Sequence, residues 1–523
     1  MTNRFLLPVL IFLISFLQYS CGSKKISESI IVASSGKIES LDPARANTLK
    51  AIQLLNSLGD TLYELNSNGE LIPELALGMP TVSKDGLQII INLRKDVLFH
   101  DGTPFNSNAI KFTFERFQRI GTMNYILSDK IKSIETPNKY KVIINLNKPS
   151  SSLKGLLTSV NLTPISPSFY EEYSDKFLND KFVGTGKYVL RRFSNEIQVI
   201  DPNSNYWGVR PSNEGITFVG YSNSSSLFGA LKSKQIDVLL SNSIDDSQRN
   251  SLSLLSKNNK IKEGKSPATE ISFISLRTNK HPLNNQNLRL ALAKSLNRKV
   301  ISKKVSYGLR RPTRSIVPPI FKKDNQDLWP KYEPSKSKIL LQKEGYCNGN
   351  VLEIPLTYRS NVPADKLIAL TWQEEIKNVL NDCIKINLNG VESTTIYKNL
   401  SLGIYTTVIL DWTGAYSDPE AYLTPLLSCR QIENGECKKG ESTYSGSFWG
   451  SNKVEKLFLE SEIMNGDKRL NKLIEIEKIA SEAVPYVPIW ISAQKAWSQN
   501  YISKPIFNGA GIISLSDLNF INE

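Results

Sequence analysis

The stretch Leu93–Pro104, which reads LRKDVLFHDGTP, connects a segment with the alternation of a β-strand to one with the spacing of a helix. Apolar residues occupy every second position in Leu87–Leu93, and the same pattern returns in Tyr140–Leu146. Between these two segments, Asn106–Phe117 has helical periodicity. A period of two predicts a strand and a period near 3.6 predicts a helix. The region around the stretch is therefore predicted to be a mixed α/β unit.

The second half of the chain also alternates strands with helices. Apolar residues recur every four positions in Leu288–Val300, and a similar helical pattern runs through Leu367–Leu380. Ile271–Leu276 and Tyr405–Leu410 have the character of strands. This alternation is typical of an α/β domain in which helices cover a sheet. We predict the α/β class, with mixed sheets, for the whole chain.

Length and composition indicate a large globular protein. A chain of 523 residues exceeds the size at which one core keeps growing, so two or three structural units are expected. The formal charge of +14 arises from 64 Lys and Arg interspersed with 50 Asp and Glu. Because no recognition motif accompanies this charge, nucleic acid is not expected as a partner, and a solvated lysine-rich surface is the simpler interpretation.

The N-terminus predicts export from the cytoplasm. Phe5–Leu17 is an apolar run too short to span a hydrocarbon core of about 30 Å, and it fits the apolar region of a signal peptide. Cys21 follows in a setting that resembles a bacterial lipoprotein cleavage site, although Gln18 stands where that pattern prefers an aliphatic residue. We predict a signal peptide at 1–20, a linker at 21–28 and an extracytoplasmic body anchored to the membrane by lipid. An ordinary secretory signal and a short uncleaved anchor are the alternatives.

The remaining four cysteines agree with an oxidising compartment. Cys429 and Cys437 bracket a short polar loop, while Cys347 and Cys383 flank a predicted strand and helix. We predict these two pairs as disulfides, although four cysteines allow three connectivities. A metal site is not expected, because the chain has no C-x-x-C motif and only two histidines.

A series of short motifs runs through nearly the whole mature chain: Leu41–Pro43, Asp60–Tyr63, Gly69–Ala76, Leu93–Pro104, Lys111–Arg116, Val183–Tyr188, Gln235–Asp237, Asn297–Arg298 and Asp411–Leu423. In order and spacing, these motifs resemble the peptide-binding family of periplasmic solute-binding proteins, which includes dipeptide, oligopeptide and nickel-chelate binders. The segment around Leu93–Pro104 is the most specific of them.

The resemblance implies a bilobed, three-domain fold of the periplasmic-binding-protein type, with a hinge between the lobes. It implies a first lobe made of 29–58, 167–270 and 486–523, an extra domain inserted at 59–166, and a second lobe at 271–485. The implied partners are a peptide or peptide-like solute and the transmembrane permease subunits of an ABC importer. The protein is expected to be a monomer that closes on its solute.

The resemblance also places the solute against the block that follows Asp411. The candidate ligand-binding residues are Trp412, Tyr416, Asp411, Gly414, Ala415, Asp418, Arg359 and Asn47. The rings of Trp412 and Tyr416 are flat and apolar with a polar handle, and Arg359 could bind a carboxylate with two parallel hydrogen bonds. Each has a structural alternative: the rings could belong to a core, Asp418 could cap a helix, and Arg359 could lie on the surface.

One position departs from the family pattern. Oligopeptide binders of this family usually carry an aspartate just before the tyrosine, where it pairs with the α-amino group of the ligand, and this chain has Ala415 there. A buried ammonium without a carboxylate is unfavourable. Either Asp411 substitutes for the missing aspartate, or the ligand is not a peptide with a free amine.

Enzymatic activity is not expected, and neither is a cofactor. The chain has no G-x-S-x-G and no H-E-x-x-H motif, which leaves a secreted hydrolase as a remote alternative. The nearer alternative is the same scaffold binding a metal chelate, an oligosaccharide or an opine.

Overall fold

The computed structural model describes residues 29–46, 48–240, 244–322 and 327–521. The α/β class predicted from the sequence is confirmed. The strands are β1 Ile30–Ser35, β2 Tyr63–Leu65, β3 Leu71–Pro73, β4 Thr81–Val82, β5 Gln88–Asn92, β6 Ile131–Asn138, β7 Lys141–Leu146, β8 Tyr188–Phe193, β9 Ile197–Pro202, β10 Ile216–Tyr221, β11 Val238–Leu240, β12 Ile261–Leu276, β13 Arg311–Pro312, β14 Leu352–Arg359, β15 Ile384–Val391, β16 Thr407–Trp412, β17 Gln431–Glu433, β18 Glu436–Lys439 and β19 Tyr486–Gln499.

Helices connect these strands. They are α1 Leu49–Leu58, α2 Ser107–Ile120, α3 Tyr125–Ser128, α4 Leu153–Leu156, α5 Pro167–Tyr170, α6 Ser224–Lys232, α7 Asp246–Lys257, α8 Gln286–Ser295, α9 Arg298–Ser306, α10 Pro334–Lys343, α11 Pro363–Val379, α12 Ser393–Asn399, α13 Glu420–Leu427, α14 Glu441–Tyr444, α15 Asn452–Glu462 and α16 Gly466–Ala483. Among the described residues, none of these helices has both the length and the apolarity that crossing a membrane requires.

One large mixed sheet runs through the molecule in the order β15-β14-β16-β12-β19-β11-β1-β10-β9-β8, with β13 paired to β19. The antiparallel strands β12 and β19 are 16 and 14 residues long and connect its two halves. At one end of this pair β19 bonds to β11, and at the other end β12 bonds to β16. The pairing of β12 with β19 shifts register between Lys265 and Ala268 and again before Glu270. These irregularities lie where the two halves of the sheet meet.

Apolar cores cover both faces of the sheet in its second half. Along β12, Ile274 and Leu276 pack into one core and Ile271 and Phe273 into the other. Successive side chains of a strand point to opposite faces, which explains the alternation. The strand is therefore apolar on both faces, as the run of apolar residues at its end predicts.

A smaller sheet, β4-β5-β7-β6, forms a separate unit with α2. Its core contains Ile89, Ile91 and Ile144 from the strands and Phe114 from the helix. The helix begins at Asn106, whose side chain accepts a hydrogen bond from the backbone of Asn108. The alternation read from the sequence on either side of Leu93–Pro104 is thus confirmed as strand, helix and strand.

The predicted amphipathic helix through Leu288–Val300 is wrong in one respect, because the structure divides it. The first helix, α8, ends at Ser295, and the side chain of Asn297 accepts a hydrogen bond from Val300 and starts α9. Asparagine is a preferred cap because it satisfies a backbone amide that has no partner within the helix. The four-residue repeat continues across the break because Leu288, Leu292 and Leu296 pack into the same core.

The structure joins Cys347 to Cys383 and Cys429 to Cys437, the two pairs expected from the sequence. The first disulfide closes 36 residues and holds the start of β14 beside the start of β15. The second closes 8 residues around the β17–β18 hairpin.

The division into lobes remains a proposal, and the apolar cores support it. One core collects residues such as Ile30, Tyr188 and Ile513 from the three segments assigned to the first lobe. The buried residues of the core that contains Phe114 fall within the inserted domain at 59–166, apart from Ala44. Because β12 and β19 cross between the halves, a boundary at 270/271 falls inside a strand rather than in a loop.

The environment of the buried Asp60 gives a prediction on pH dependence. Burial raises the pKa of the Asp60 carboxyl to about 6, against hydrogen bonds from Trp207, Thr185 and Tyr206 that lower it. A carboxyl with a raised pKa binds more protons in the folded state, so stability falls as pH rises from its ordinary pKa to about 6. Relative to D60N, the wild-type protein should lose roughly 2–3 kcal/mol of unfolding free energy over that window.

Urea unfolding of both proteins at pH values from 4 to 7 measures this difference. D180N, at an exposed position, is the matched control. Parallel pH profiles for the wild-type protein and D60N would contradict the prediction.

Candidate functional site

A cavity of about 400 Å³ lies between the two halves of the large sheet and the inserted domain. Its lining comes from the beginning of α1, the segment 158–161, the loop after β16, the middle of β19 and a C-terminal segment. The lining residues are Leu49, Ile52, Gln53, Met123, Thr158, Ser159, Val160, Asn161, Leu240, Trp412, Thr413, Gly414, Ala415, Tyr416, Ser417, Gln494, Lys495, Phe507, Ala510, Gly511 and Ile512. Cavities of this size commonly hold small organic ligands.

The segment 412–417, here called the cavity loop, forms the cavity wall on the side of strands β14 to β16. It begins where β16 ends, and Trp412 is anchored because its Nε1–H donates to the backbone oxygen of Ala421 at 2.8 Å. Gly414 lies so close to α13 that a Cβ placed on it would be 2.7 Å from the ring of Tyr422. A side chain at position 414 would push the loop away from α13, so the glycine fixes the shape of this wall.

Tyr416 contacts two apolar cores. Its ring packs against the core of the inserted domain and also against the second-half core that contains Tyr422. Its hydroxyl lies 3.4 Å from the carboxylate of Glu420, and burial, followed by the nearby Glu420 charge, raises the pKa of Tyr416. The phenol is therefore neutral and able to donate a hydrogen bond.

The cavity loop also offers backbone hydrogen-bond donors. Within the part of the chain that the structure describes, the amides of Thr413, Ala415 and Ser417 donate to no other residue. Ala415 itself is exposed toward the cavity. A ligand that presents carbonyl or carboxylate oxygens would satisfy these amides.

Arg359 does not line the cavity, and its guanidinium is already saturated. All five N–H groups donate: Nε and Nη2 to Asp365, Nη1 and Nη2 to Asp411, and Nη1 to the hydroxyl of Tyr397. Burial alone would lower the pKa of Arg359, but the bonds to Asp365 and Asp411 outweigh it and raise the pKa. These contacts favour a positioning role at the start of the cavity loop over direct contact with a ligand.

The contacts of Asp411 favour a structural role over a substitution for the aspartate that is missing at position 415. Both of its carboxylate oxygens accept from Arg359, at 2.8 and 2.7 Å, and it is not among the lining residues of the cavity.

Asp418 is buried beside α13 and forms two hydrogen bonds of 2.8 Å with Arg469. It also accepts from the backbone of Glu420, so it satisfies an amide at the beginning of the helix, although the structure places Pro419 at the cap itself. This agrees with the structural interpretation of Asp418. Two other predicted positions, Asn47 and Cys21, lie outside the described residues.

The opposite wall of the cavity was not predicted from the sequence. Leu49, Val160, Phe507 and Ile512 supply much of its apolar surface. These residues come from segments hundreds of positions apart, and none belongs to a motif that signals a site. Only their assembly in the fold identifies them.

Lys495 on β19 is the other residue that sequence patterns missed. Its ammonium is 2.8 Å from the carboxylate of Glu263 and also donates to Ser253. Burial opposes ionisation of Glu263, yet the hydrogen bonds from Lys495 and Ser253 lower the pKa of this carboxyl below its ordinary value. Lys495 and Glu263 therefore form a charged pair with no net charge.

No group of three or more His, Cys, Asp or Glu side chains suited to a metal ion occurs among the described residues. The cavity is built from apolar surfaces, neutral polar groups, backbone amides and the ammonium of Lys495.

Comparison with known proteins supports a common origin with binding proteins. The family described as "Bacterial extracellular solute-binding proteins, family 5 Middle" matches residues 70–434. The glutathione-binding protein GsiB of Salmonella choleraesuis is 27% identical over 354 residues, which cover 66% of this chain and 67% of that protein.

Two solved structures share the fold over nearly their whole length. NikA from Brucella suis, in complex with Fe(III)-EDTA, has a TM-score of 0.82 at 21% identity, covering 94% of this chain and 100% of NikA. DppA from Helicobacter pylori, in complex with the peptide STSA, has a TM-score of 0.74 at 22% identity, covering 94% of this chain and 98% of DppA. At these identities the likeness extends to the fold alone.

Proposed function

The chain belongs to family 5 of the bacterial extracellular solute-binding proteins, and we propose that it captures a peptide-like solute in the cavity and delivers it to an ABC importer. Its partners are the solute and the transmembrane permease subunits of that importer, and it acts as a monomer. The sequence family places it outside the cytoplasm.

The observation that carries the proposal is the composition of the cavity walls. Trp412 and Tyr416 stand on one side, Leu49 and Phe507 on the other, and Asn161 belongs to the segment between them. A solute in this space touches both halves of the molecule. Because a ligand shifts a conformational equilibrium only through contacts that differ between the two states, such a solute would stabilise the closed form.

The crossing strands β12 and β19 are the proposed hinge. Their register shifts between Lys265 and Glu270 interrupt the ladder that would otherwise make the connection stiff. Arg310 of the second half lies 3.1 Å from Asp246 of α7 across this connection. The pair offers one contact that can form on closure and break on opening.

The relatives that match are binding proteins, and we propose that this chain likewise has no catalytic activity. Incubation of the purified protein with peptides and glycosides, followed by mass spectrometry of the mixture, tests this. Release of any hydrolysis product, abolished by heat denaturation of the protein, would overturn it.

A thermal-shift screen tests solute capture. Di- to hexapeptides, screened with free and with acetylated N-termini, should include members that raise the unfolding midpoint, because a ligand at 100 times its dissociation constant stabilises the folded state by about 2.7 kcal/mol. Metal chelates, oligosaccharides and opines form the comparison set. If no peptide shifts the transition while one of these compounds does, the peptide assignment is wrong and the scaffold serves that other solute.

Residues 1–20 are proposed to be a lipoprotein signal peptide, with Cys21 as the acylated residue. This predicts that C21A will move from the membrane fraction to the soluble extracytoplasmic fraction and will not incorporate labelled palmitate. C429A, which removes a cysteine of the hairpin disulfide, is the control and should remain in the membrane fraction. Membrane retention of C21A would contradict lipid anchoring at this residue.

A further inference from the structure

The charges around the cavity narrow the class of solute that it can accept. Among the described residues that line it, Lys495 alone has a charged side chain, and no Asp or Glu faces the space. The charge of Lys495 is already balanced by Glu263 at 2.8 Å. The cavity therefore presents no unpaired carboxylate to an incoming cation within the described part of the chain.

The two carboxylates that flank the cavity loop are also occupied. Asp411 precedes the loop and accepts from two nitrogens of Arg359. Asp418 follows the loop and accepts from two nitrogens of Arg469. Detaching either carboxylate to bind a ligand would break two charge-assisted hydrogen bonds to a buried arginine, which would keep only its second carboxylate partner, Asp365 for Arg359 and Glu420 for Arg469.

The cavity loop offers open hydrogen-bond donors but no carboxylate. The amides of Thr413, Ala415 and Ser417 have no acceptor among the described residues. The apolar surfaces of Trp412 and Phe507 surround them. Such a wall accommodates carbonyl oxygens beside apolar groups, but an ammonium in this cavity would lose its hydration without meeting a carboxylate among the described lining residues.

Resting on the function proposed above, we infer that the cavity selects solutes that lack a free ammonium group and present acceptor oxygens to the cavity loop. N-acylated peptides and other amine-blocked, amide-containing compounds of similar size belong to this class. A peptide with a free, protonated N-terminus is disfavoured because its ammonium would lose water without gaining a counter-charge, and not because of its shape.

The test compares two tripeptides that differ only at the amine: Ala-Phe-Leu amide and its N-acetyl form. Isothermal titration calorimetry at pH 7 should give at least roughly tenfold tighter binding of the acetylated peptide, which corresponds to about 1.4 kcal/mol. The affinity of the free-amine peptide should rise between pH 7 and pH 9, because an α-amino group loses its proton at a pKa of about 8. The acetylated peptide should show no such rise.

The A415D variant adds a carboxylate at the exposed position of the cavity loop. It should shift the preference toward the free-amine peptide by at least roughly tenfold, whereas A415N, of similar size and without charge, should not. The wild-type comparison and its pH dependence stand even if A415D does not fold.

The outcomes separate this inference from the function on which it rests. Equal or tighter binding of the free-amine peptide to the wild-type protein would overturn the inference and leave peptide capture in place. Absence of binding by both peptides, to protein whose fold is verified by circular dichroism, would overturn peptide capture and this solute class together.

Discussion

Replacing Trp412 with alanine will weaken solute binding by roughly 10- to 100-fold, which corresponds to about 1.4–2.7 kcal/mol. The indole forms part of the cavity wall and is held in place by the hydrogen bond from its Nε1–H to Ala421. Removing the ring takes away apolar surface that a bound solute would cover, and it frees the cavity loop at its first residue. Calorimetric titration with the tightest solute found in the thermal-shift screen measures the loss.

Two further variants separate contact from folding. W412F keeps a flat ring but loses the hydrogen bond, so its affinity should lie between those of the wild-type protein and W412A. Y444A removes an aromatic ring that is exposed on the surface and does not line the cavity, and it should bind normally. Wild-type affinity in W412A would show that the solute does not contact this wall.

Breaking the buried pair between Arg116 and Asp42 will have the largest effect on stability. Arg116 lies on α2, in the proposed inserted domain, and its Nη1 donates at 2.8 Å to Asp42, in the proposed first lobe. The side chains are 2% and 0% exposed. Asp42 also accepts from the backbone amides of Ala44 and Leu178, so the carboxylate is central to this domain contact. Replacing Arg116 with methionine leaves the carboxylate of Asp42 buried without a counter-charge, and this should lower the free energy of unfolding by about 3–5 kcal/mol.

Urea unfolding followed by tryptophan fluorescence measures this loss. The double variant R116M/D42N removes both charges but keeps an acceptor for the backbone amides, and it should recover part of the stability lost in R116M. R119M, on the same helix, breaks an exposed pair with Asp175 and should cost less than about 1 kcal/mol. Similar losses for R116M and R119M would contradict the account.

Local patterns made much of the fold predictable. The strands and helix around Leu93–Pro104 follow from periodicities of two and 3.6, which depend only on neighbouring residues. The break between α8 and α9 was missed because both helices pack against one core, and the four-residue repeat therefore continues past Asn297. Such a break is visible in the sequence only as an asparagine that could also occupy an exposed helical position.

The sequence offered candidates for one wall of the cavity only. The motif around Trp412 and Tyr416 made the cavity loop a candidate, because its residues are contiguous, and these residues line the cavity. The opposite wall is assembled from α1, residues near 160 and residues 507–512, and long-range packing decides which of their side chains meet. The sequence also could not show that the guanidinium of Arg359 is already paired, since its partners Asp365 and Asp411 come from a helix and a neighbouring strand.

Small-angle X-ray scattering of the protein without residues 1–20, with and without a saturating solute, tests most directly whether the molecule works by closing on its ligand. Saturation is established beforehand by calorimetry. The account predicts a smaller radius of gyration for the liganded protein. It predicts no contraction of W412A when the same solute is added at a concentration below the dissociation constant of that variant. An unchanged radius of gyration in wild-type protein saturated with a tightly bound solute would contradict capture by lobe closure.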